Sequence, residues 1–230
     1  MRPRGLELVV EVDEEAAARR VAALLAEAAR AGGEIVLTGG STPGRAYELA
    51  AWLEPNWSGA GVWWGDERCV PPEHDDSNFG LAKKALLDKL EAQPRAVHRI
   101  HGEDEPDSAS AAYASEVAGI TFDLLLLGLG PDGHVASLFP HAPGLFERER
   151  LAIASEPKLE PFVERVTLTP PALEAARRLV FLVTGEEKAA AAALAFSGEP
   201  SPSVPGSLIR ARAGETLAVV DEAAAARLRD

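Results

Sequence analysis

Phe122-Asp123-Leu124-Leu125-Leu126-Leu127-Gly128-Leu129-Gly130-Pro131-Asp132-Gly133-His134 is the stretch on which the fold turns. Four consecutive leucines in so short a run predict a strand over Phe122–Leu127, buried on both faces. The strand ends abruptly in glycines, an acid and an imidazole. Three more runs have the same grammar. Glu34–Thr38 precedes Gly39-Gly40-Ser41-Thr42-Pro43-Gly44, Gly61–Trp64 precedes Gly65-Asp66-Glu67-Arg68, and Leu179–Thr184 precedes Gly185-Glu186-Glu187-Lys188.

Helical stretches separate these strands. Asp13–Ala31 is rich in Ala, Leu and Arg, with Asp13 as its N-cap. Further helices are expected over Pro43–Leu53, Ser77–Leu90, Ser108–Ala118, Pro171–Arg177, Glu186–Phe196 and Glu222–Arg229, and further strands over Leu6–Val12, Val97–His101, Leu151–Ser155, Val163–Leu168 and Thr216–Val220. Strands alternating with helices of this length make an α/β fold, a mainly parallel sheet flanked by helices on both faces. Residues 1–230 read as a single domain. Glu199–Gly206 is a loop rich in Pro and Ser, not a linker.

The chain has 230 residues, 47% of them hydrophobic and 26% charged, an ordinary globular balance. Its net charge of −13 argues against nucleic acid and anionic membrane surfaces as partners. A cleft holding a few arginines would still accept a small anion. One cysteine, Cys69, rules out an internal disulfide and fits a reducing compartment. No signal peptide or membrane-length apolar run occurs, so a cytoplasmic protein is expected.

In a parallel sheet these four strand ends fall on one rim, where ligands bind. Gly39, Gly40, Ser41 and Thr42 can cradle an anion. The glycines let backbone N–H groups converge, and the helix behind them aims its positive end at the same spot. A tight turn with an N-cap reads equally well there. Arg68 can fork onto a phosphate, whereas a lone charge cluster is commonly solvated surface. Gly128, Gly130 and Gly133 fit a dinucleotide fingerprint, with Glu156 as its acidic partner. Such a site has no need of Asp132 and His134. Imidazole titrates near neutrality as a rule, which suits base chemistry at His134. No nucleophile elbow is present and no acid completes a triad with Ser137, so activated water is favoured over a covalent serine intermediate. No Cys/His/Asp group has metal-ligand spacing, so neither metal nor other cofactor is expected.

Gly39-Gly40-Ser41-Thr42-Pro43, Asp66-Glu67-Arg68, Ser77-Asn78 and Gly130-Pro131-Asp132-Gly133-His134-Val135-Ala136-Ser137-Leu138-Phe139-Pro140 resemble the 6-phosphogluconolactonase family in order and spacing. Arg165-Val166-Thr167-Leu168-Thr169 and Thr184-Gly185-Glu186-Glu187-Lys188 continue the resemblance over nearly the whole chain. It implies a Rossmann-like α/β fold and metal-free hydrolysis of a phosphorylated sugar lactone, the second step of the oxidative pentose phosphate pathway. His134 would be the base, with Asp132 beside it. Ser41, Thr42 and Arg68 would contact substrate together with the Gly39, Gly40, Gly130 and Gly133 backbone. Asp66 would orient the site, and Arg165 and Lys188 would add positive charge. The oxyanion would rest on backbone N–H groups of the Gly130–Gly133 turn or on a cationic side chain. A monomer is expected, with a homodimer left open.

Glucosamine-6-phosphate deaminases share the two-glycine turn. They usually read toward Phe-Asn-Glu-Pro where this chain has Ser137-Leu138-Phe139-Pro140, and Asp-Glu-Tyr where it has Asp66-Glu67-Arg68. Both departures favour the lactonase. Val135, where the family often has Thr, is a mild departure. A non-catalytic module binding sugar phosphates or nucleotides is the third reading.

Overall fold

The computed structural model describes residues 5–158 and 160–228. Its strands in chain order are β1 (Leu6–Glu11), β2 (Glu34–Leu37), β3 (Gly61–Trp64), β4 (Asp66–Arg68), β5 (Ala96–His98), β6 (Leu124–Leu127), β7 (Ala152–Ser155), β8 (Arg165–Leu168), β9 (Arg178–Val183) and β10 (Glu215–Asp221). The α-helices are α1 (Glu14–Arg30), α2 (Ser41–Leu53), α3 (Asn78–Ala85), α4 (Pro106–Val117), α5 (Pro170–Glu174), α6 (Ala189–Ser197) and α7 (Glu222–Ala225).

Seven strands form one wholly parallel sheet in the order β1-β10-β9-β6-β2-β3-β5. All four residues of β3 and of β6 are buried, as are Ile35–Leu37 of β2 and Leu179–Val183 of β9. Consecutive burial means that both faces of the sheet are covered, the condition a parallel sheet needs. The edge strands β1 and β5 are only partly buried.

The first helix shows how sequence sets an element. Asp13 caps α1 by accepting the Ala16 N–H at 2.7 Å, and Glu14 and Glu15 favour the positive end of its dipole. One face, Ala17, Ala18, Val21, Ala22, Leu25, Ala26 and Ala29, is buried against α2 and the sheet. Its alanines allow close approach, and burying Leu25 contributes about 1.5–3 kcal/mol.

Leu151–Ser155 and Val163–Leu168 do form strands, β7 and β8, but outside the main sheet. They pair antiparallel in a separate three-stranded sheet of order β4-β8-β7. The expected helix Ser77–Leu90 breaks at Leu86 into α3 and a 3-10 turn over Leu87–Lys89. Glu186–Phe196 opens as a 3-10 turn, Glu186–Lys188, before α6. Pro171–Arg177 contracts to α5. The last helix stops at Ala225, and Arg229 lies outside the described residues. No helix among the described residues is long and apolar enough to cross a membrane.

The central pair β6 and β2 is where the chain changes direction across the sheet. From β2 it proceeds to β3 and β5, and from β6 to β9. The loops leaving their carboxyl ends diverge and open a crevice between them.

Candidate active site

The crevice is a cleft of about 220 Å³ floored by Thr38, Gly39 and Gly40 after β2 and by Gly128, Leu129 and Gly130 after β6. Asp66, Arg68, Asn78, His134, Arg165 and Lys188 stand around it. The four strand-end motifs therefore do converge on one rim. A second cavity of about 440 Å³ opens beside it, shares Gly39, Gly40, Gly128, Leu129 and Lys188, and holds Ser41, Thr42, Thr184 and Glu14.

His134 sits where a tight turn brings it back over Gly130. The Gly130 N–H donates to the His134 carbonyl at 2.9 Å, and a Cβ on Gly130 would overlap the imidazole Nδ1. Gly133 holds φ at +84°, a left-handed conformation that favours glycine, while Val204 closes over it. Asp132 Oδ1 lies 2.6 Å from His134 Nδ1 and also accepts the His134 N–H at 3.1 Å. A carboxylate can only accept, so Nδ1 carries a proton, and in the neutral form of the ring Nε2 is the nitrogen with the lone pair. Burial works to raise the Asp132 carboxyl. The hydrogen bond from His134 and its proximity outweigh that and hold the carboxyl below its ordinary value. The His134 side chain is 19% exposed, with its ring against Phe139 at 4.8 Å between centroids.

Positive charge comes from two directions. Arg68 on β4 and Arg165 on β8 are cross-strand partners in the small antiparallel sheet. Lys188 ends the 3-10 turn beyond β9. Among the described residues none of the three enters an ion pair. Arg68 Nη1 donates to the Asp76 carbonyl at 2.5 Å and Arg165 Nη2 to the Pro161 carbonyl at 3.3 Å, but both Nε atoms are buried without an acceptor. Arg165 is only 3% exposed and lies over the Phe139 ring. Burial pulls the Arg165 guanidinium below its usual range, and neighbouring Arg68 adds to this against the opposing pull of Asp66. Burial likewise lowers the Lys188 ammonium, against Glu187 and Asp132. Buried cations without counter-charges are costly unless an anion arrives.

The α2 N-terminus also points into this region. Its N-cap, Gly40, offers no side-chain cap, and no protein acceptor among the described residues takes the N–H groups of Gly39, Gly40, Ser41 or Thr42. The Thr42 hydroxyl is already committed. It donates to Glu14 at 2.6 Å and meets the Thr184 hydroxyl at 2.8 Å. Ser41 and Thr42 line the adjoining cavity, not the wall facing His134.

Asp66 is buried and accepts the Ser137 hydroxyl at 2.6 Å, which ties β4 to the segment after His134. Ser137 is thereby withdrawn into the interior, away from any nucleophilic role. The glycine fingerprint of Gly128–Gly133 is followed by turns and a 3-10 segment, Pro143–Phe146, not by the helix a pyrophosphate needs. The dinucleotide reading falls with it. The Gly130 and Gly133 N–H groups donate to the His134 and Gly130 carbonyls, so they are not free to hold an oxyanion as expected. Among the described residues no group of three or more His, Cys, Asp and Glu could hold a metal ion.

Two site residues escaped the sequence reading. Asn78 reaches the cleft from the first position of α3, and a Cβ on Gly39 would overlap its Oδ1. Glu67, 2% exposed, accepts the N–H groups of Arg68, Asn78 and Phe79 at 2.7–2.8 Å and the Ser77 hydroxyl at 3.1 Å. Their only signal was that Asp66-Glu67-Arg68 and Ser77-Asn78 are among the motifs that carry the family resemblance.

Residues 11–218 match the family model described as glucosamine-6-phosphate isomerases/6-phosphogluconolactonase. The chain is 40% identical to a 6-phosphogluconolactonase of Streptomyces coelicolor, across 96% of this chain and 94% of that one. Identity to the 6-phosphogluconolactonase of Mycobacterium tuberculosis is 36%, across 93% of each. The solved 6-phosphogluconolactonase from Trypanosoma cruzi superposes with a TM-score of 0.85 at 26% identity, covering 97% of both chains. A monomeric glucosamine-6-phosphate deaminase superposes with a TM-score of 0.84 at 17% identity, a likeness of fold alone. The family match across most of its length and the full-length relatives show that the chain belongs to the glucosamine-6-phosphate isomerase/6-phosphogluconolactonase family.

Proposed function

We propose that this protein hydrolyses 6-phospho-D-glucono-1,5-lactone to 6-phospho-D-gluconate, the lactonase step of the oxidative pentose phosphate pathway. The names of its 36–40% identical relatives point to that substrate. The observation that carries the reading is the His134–Asp132 pair at 2.6 Å on the wall of a cleft with three unpaired cations. In a chain of net charge −13 such a cleft suits an anionic substrate.

The phosphate docks among Arg68, Arg165 and the uncapped N-terminus of α2. This anchors the ring with its C1 carbonyl near His134. His134 Nε2 takes a proton from water as the water oxygen bonds to C1, while Asp132 holds the tautomer and steadies the imidazolium. The tetrahedral oxyanion rests on a cationic side chain, and the presence of Lys188 in the lining of the same cleft as His134 supports that residue for the role. The C1–ring-oxygen bond then breaks, the imidazolium returns its proton to the leaving oxygen, and the carboxylic acid ionises.

General base catalysis contributes roughly 10²–10⁴ in rate. The His134→Ala variant is expected to lose kcat for freshly generated lactone by that order, with its fold intact. A folded variant with near-normal kcat removes His134 as the base. Ammonia release from glucosamine 6-phosphate, with no lactone turnover above the spontaneous rate, would instead make the chain a deaminase.

A further inference from the structure

Asn78 is 2% exposed, and only the nitrogen of its carboxamide is bound within the protein. Nδ2 donates to the Asp66 carbonyl at 2.9 Å and leans toward the Asp66 carboxylate at 3.4 Å. Oδ1 has no donor partner among the described residues. It lies against Gly39 on the cleft floor, where only a residue without a Cβ leaves it room. The side chain cannot swing away. Glu67 takes the Asn78 N–H at 2.7 Å, and Ser77 caps α3 through the Gly80 N–H at 3.0 Å. The asparagine is therefore pinned at its backbone and its amide nitrogen, and it presents one fixed, neutral acceptor.

Its neighbours in the cleft are of the opposite kind. Arg68, Arg165 and Lys188 are donors, suited to phosphate oxygens. An amide oxygen repels a phosphate oxygen and needs an O–H or N–H. Oδ1 is the part of this otherwise buried residue that is open to the cleft, so a sugar hydroxyl can take the place of water on it. From this juxtaposition we infer that Asn78 is a specificity-determining residue whose Oδ1 accepts a hydrogen bond from a ring-carbon hydroxyl of the sugar. The residue thereby separates the hydroxyl-bearing side of the ligand from its phosphate. The inference rests on the sugar-phosphate reading of this cleft.

The test is a coupling measurement. Binding of 6-phosphogluconate and of its 2-, 3- and 4-deoxy forms is measured by calorimetry for wild type, Asn78→Ala and Asn78→Ser. Lactone turnover by wild type is recorded separately. One deoxy form is expected to bind wild type roughly tenfold more weakly than the parent. The same deletion should cost Asn78→Ala little, because the acceptor is gone. If every deletion costs the same factor in wild type and in the variants, the inference is overturned even where turnover is normal. If neither variant folds, the wild-type series decides alone, and indifference to all three deletions rejects the proposal. Coupling without lactone turnover keeps the role of Asn78 and discards the lactonase. Failure of wild type to bind 6-phosphogluconate discards both.

Discussion

At the scale of single residues, the site depends on what is missing as much as on what is present. Gly130 is needed because the His134 ring occupies the volume of its Cβ, and Gly39 because Asn78 does. Gly130→Ala should push the imidazole off its 2.6 Å contact with Asp132. Positioning errors of about 1 Å can cost roughly 10²-fold, so kcat for the lactone is expected to fall by that order while circular dichroism stays native. A variant with wild-type kcat would show that the ring has room to move. The importance of these glycines was visible in the sequence as strand-ending turns. Which atoms lie above them was not, since Asn78 is 39 residues from Gly39 in the chain and arrives only by folding.

At the scale of elements, the small sheet β4-β8-β7 is the feature that local pattern could not show. Asp66-Glu67-Arg68 has the composition of a solvated loop, yet it is a strand with both carboxylates buried. A charged strand inside a protein survives only if its oxygens are met. Here the donors are the N-terminal N–H groups of α3 for Glu67 and the Ser137 hydroxyl for Asp66. Burial pushes the Glu67 carboxyl above its usual range, with the N–H groups of Phe79, Asn78 and Arg68 pulling it back. Glu67→Ala orphans those donors and should cost at least about 2 kcal/mol, lowering the melting temperature by about 4–8 °C for a domain of this size. It should also weaken substrate binding, because Asn78 and Arg68 lose their common anchor. Differential scanning calorimetry with a KM measurement checks both. An unchanged melting temperature would mean that water replaces the carboxylate without loss.

At the scale of the whole molecule, an acidic chain concentrates unpaired positive charge in one crevice and is held there against its own stability. Arg165 illustrates the conflict, since its burial without a direct ion pair works against the folded state and the more distant Asp66 and Asp76 offset this only in part. Arg165→Met keeps the packing on Phe139 and removes the cation. The ligand-free variant is expected to melt no lower than wild type. For wild type, 6-phosphogluconate at 100 times its Kd should add about 2.7 kcal/mol, a rise of about 5–11 °C. That shift should shrink in the variant at the same ligand concentration. A lower ligand-free melting temperature with a full ligand shift would make Arg165 structural.

Chain-local signals determined the alternation of strand and helix, the buried strands β2, β3, β6 and β9, and the placing of His134, Asp132 and Lys188 at strand exits. Hydrophobic period and glycine punctuation act over a few residues, so they survive in a one-dimensional reading. Strand order is another matter. That β6 pairs with β2, opening the crevice, and that Arg68 faces Arg165 across an antiparallel ladder, are outcomes of covering both faces of one sheet at once. Tertiary structure also decided that Thr42 spends its hydroxyl on Glu14 and Thr184, and that the Gly130 and Gly133 N–H groups close their own turn. Hydrogen-bond partners distant in sequence compete for each polar group, and only the folded chain reveals which of them is within reach.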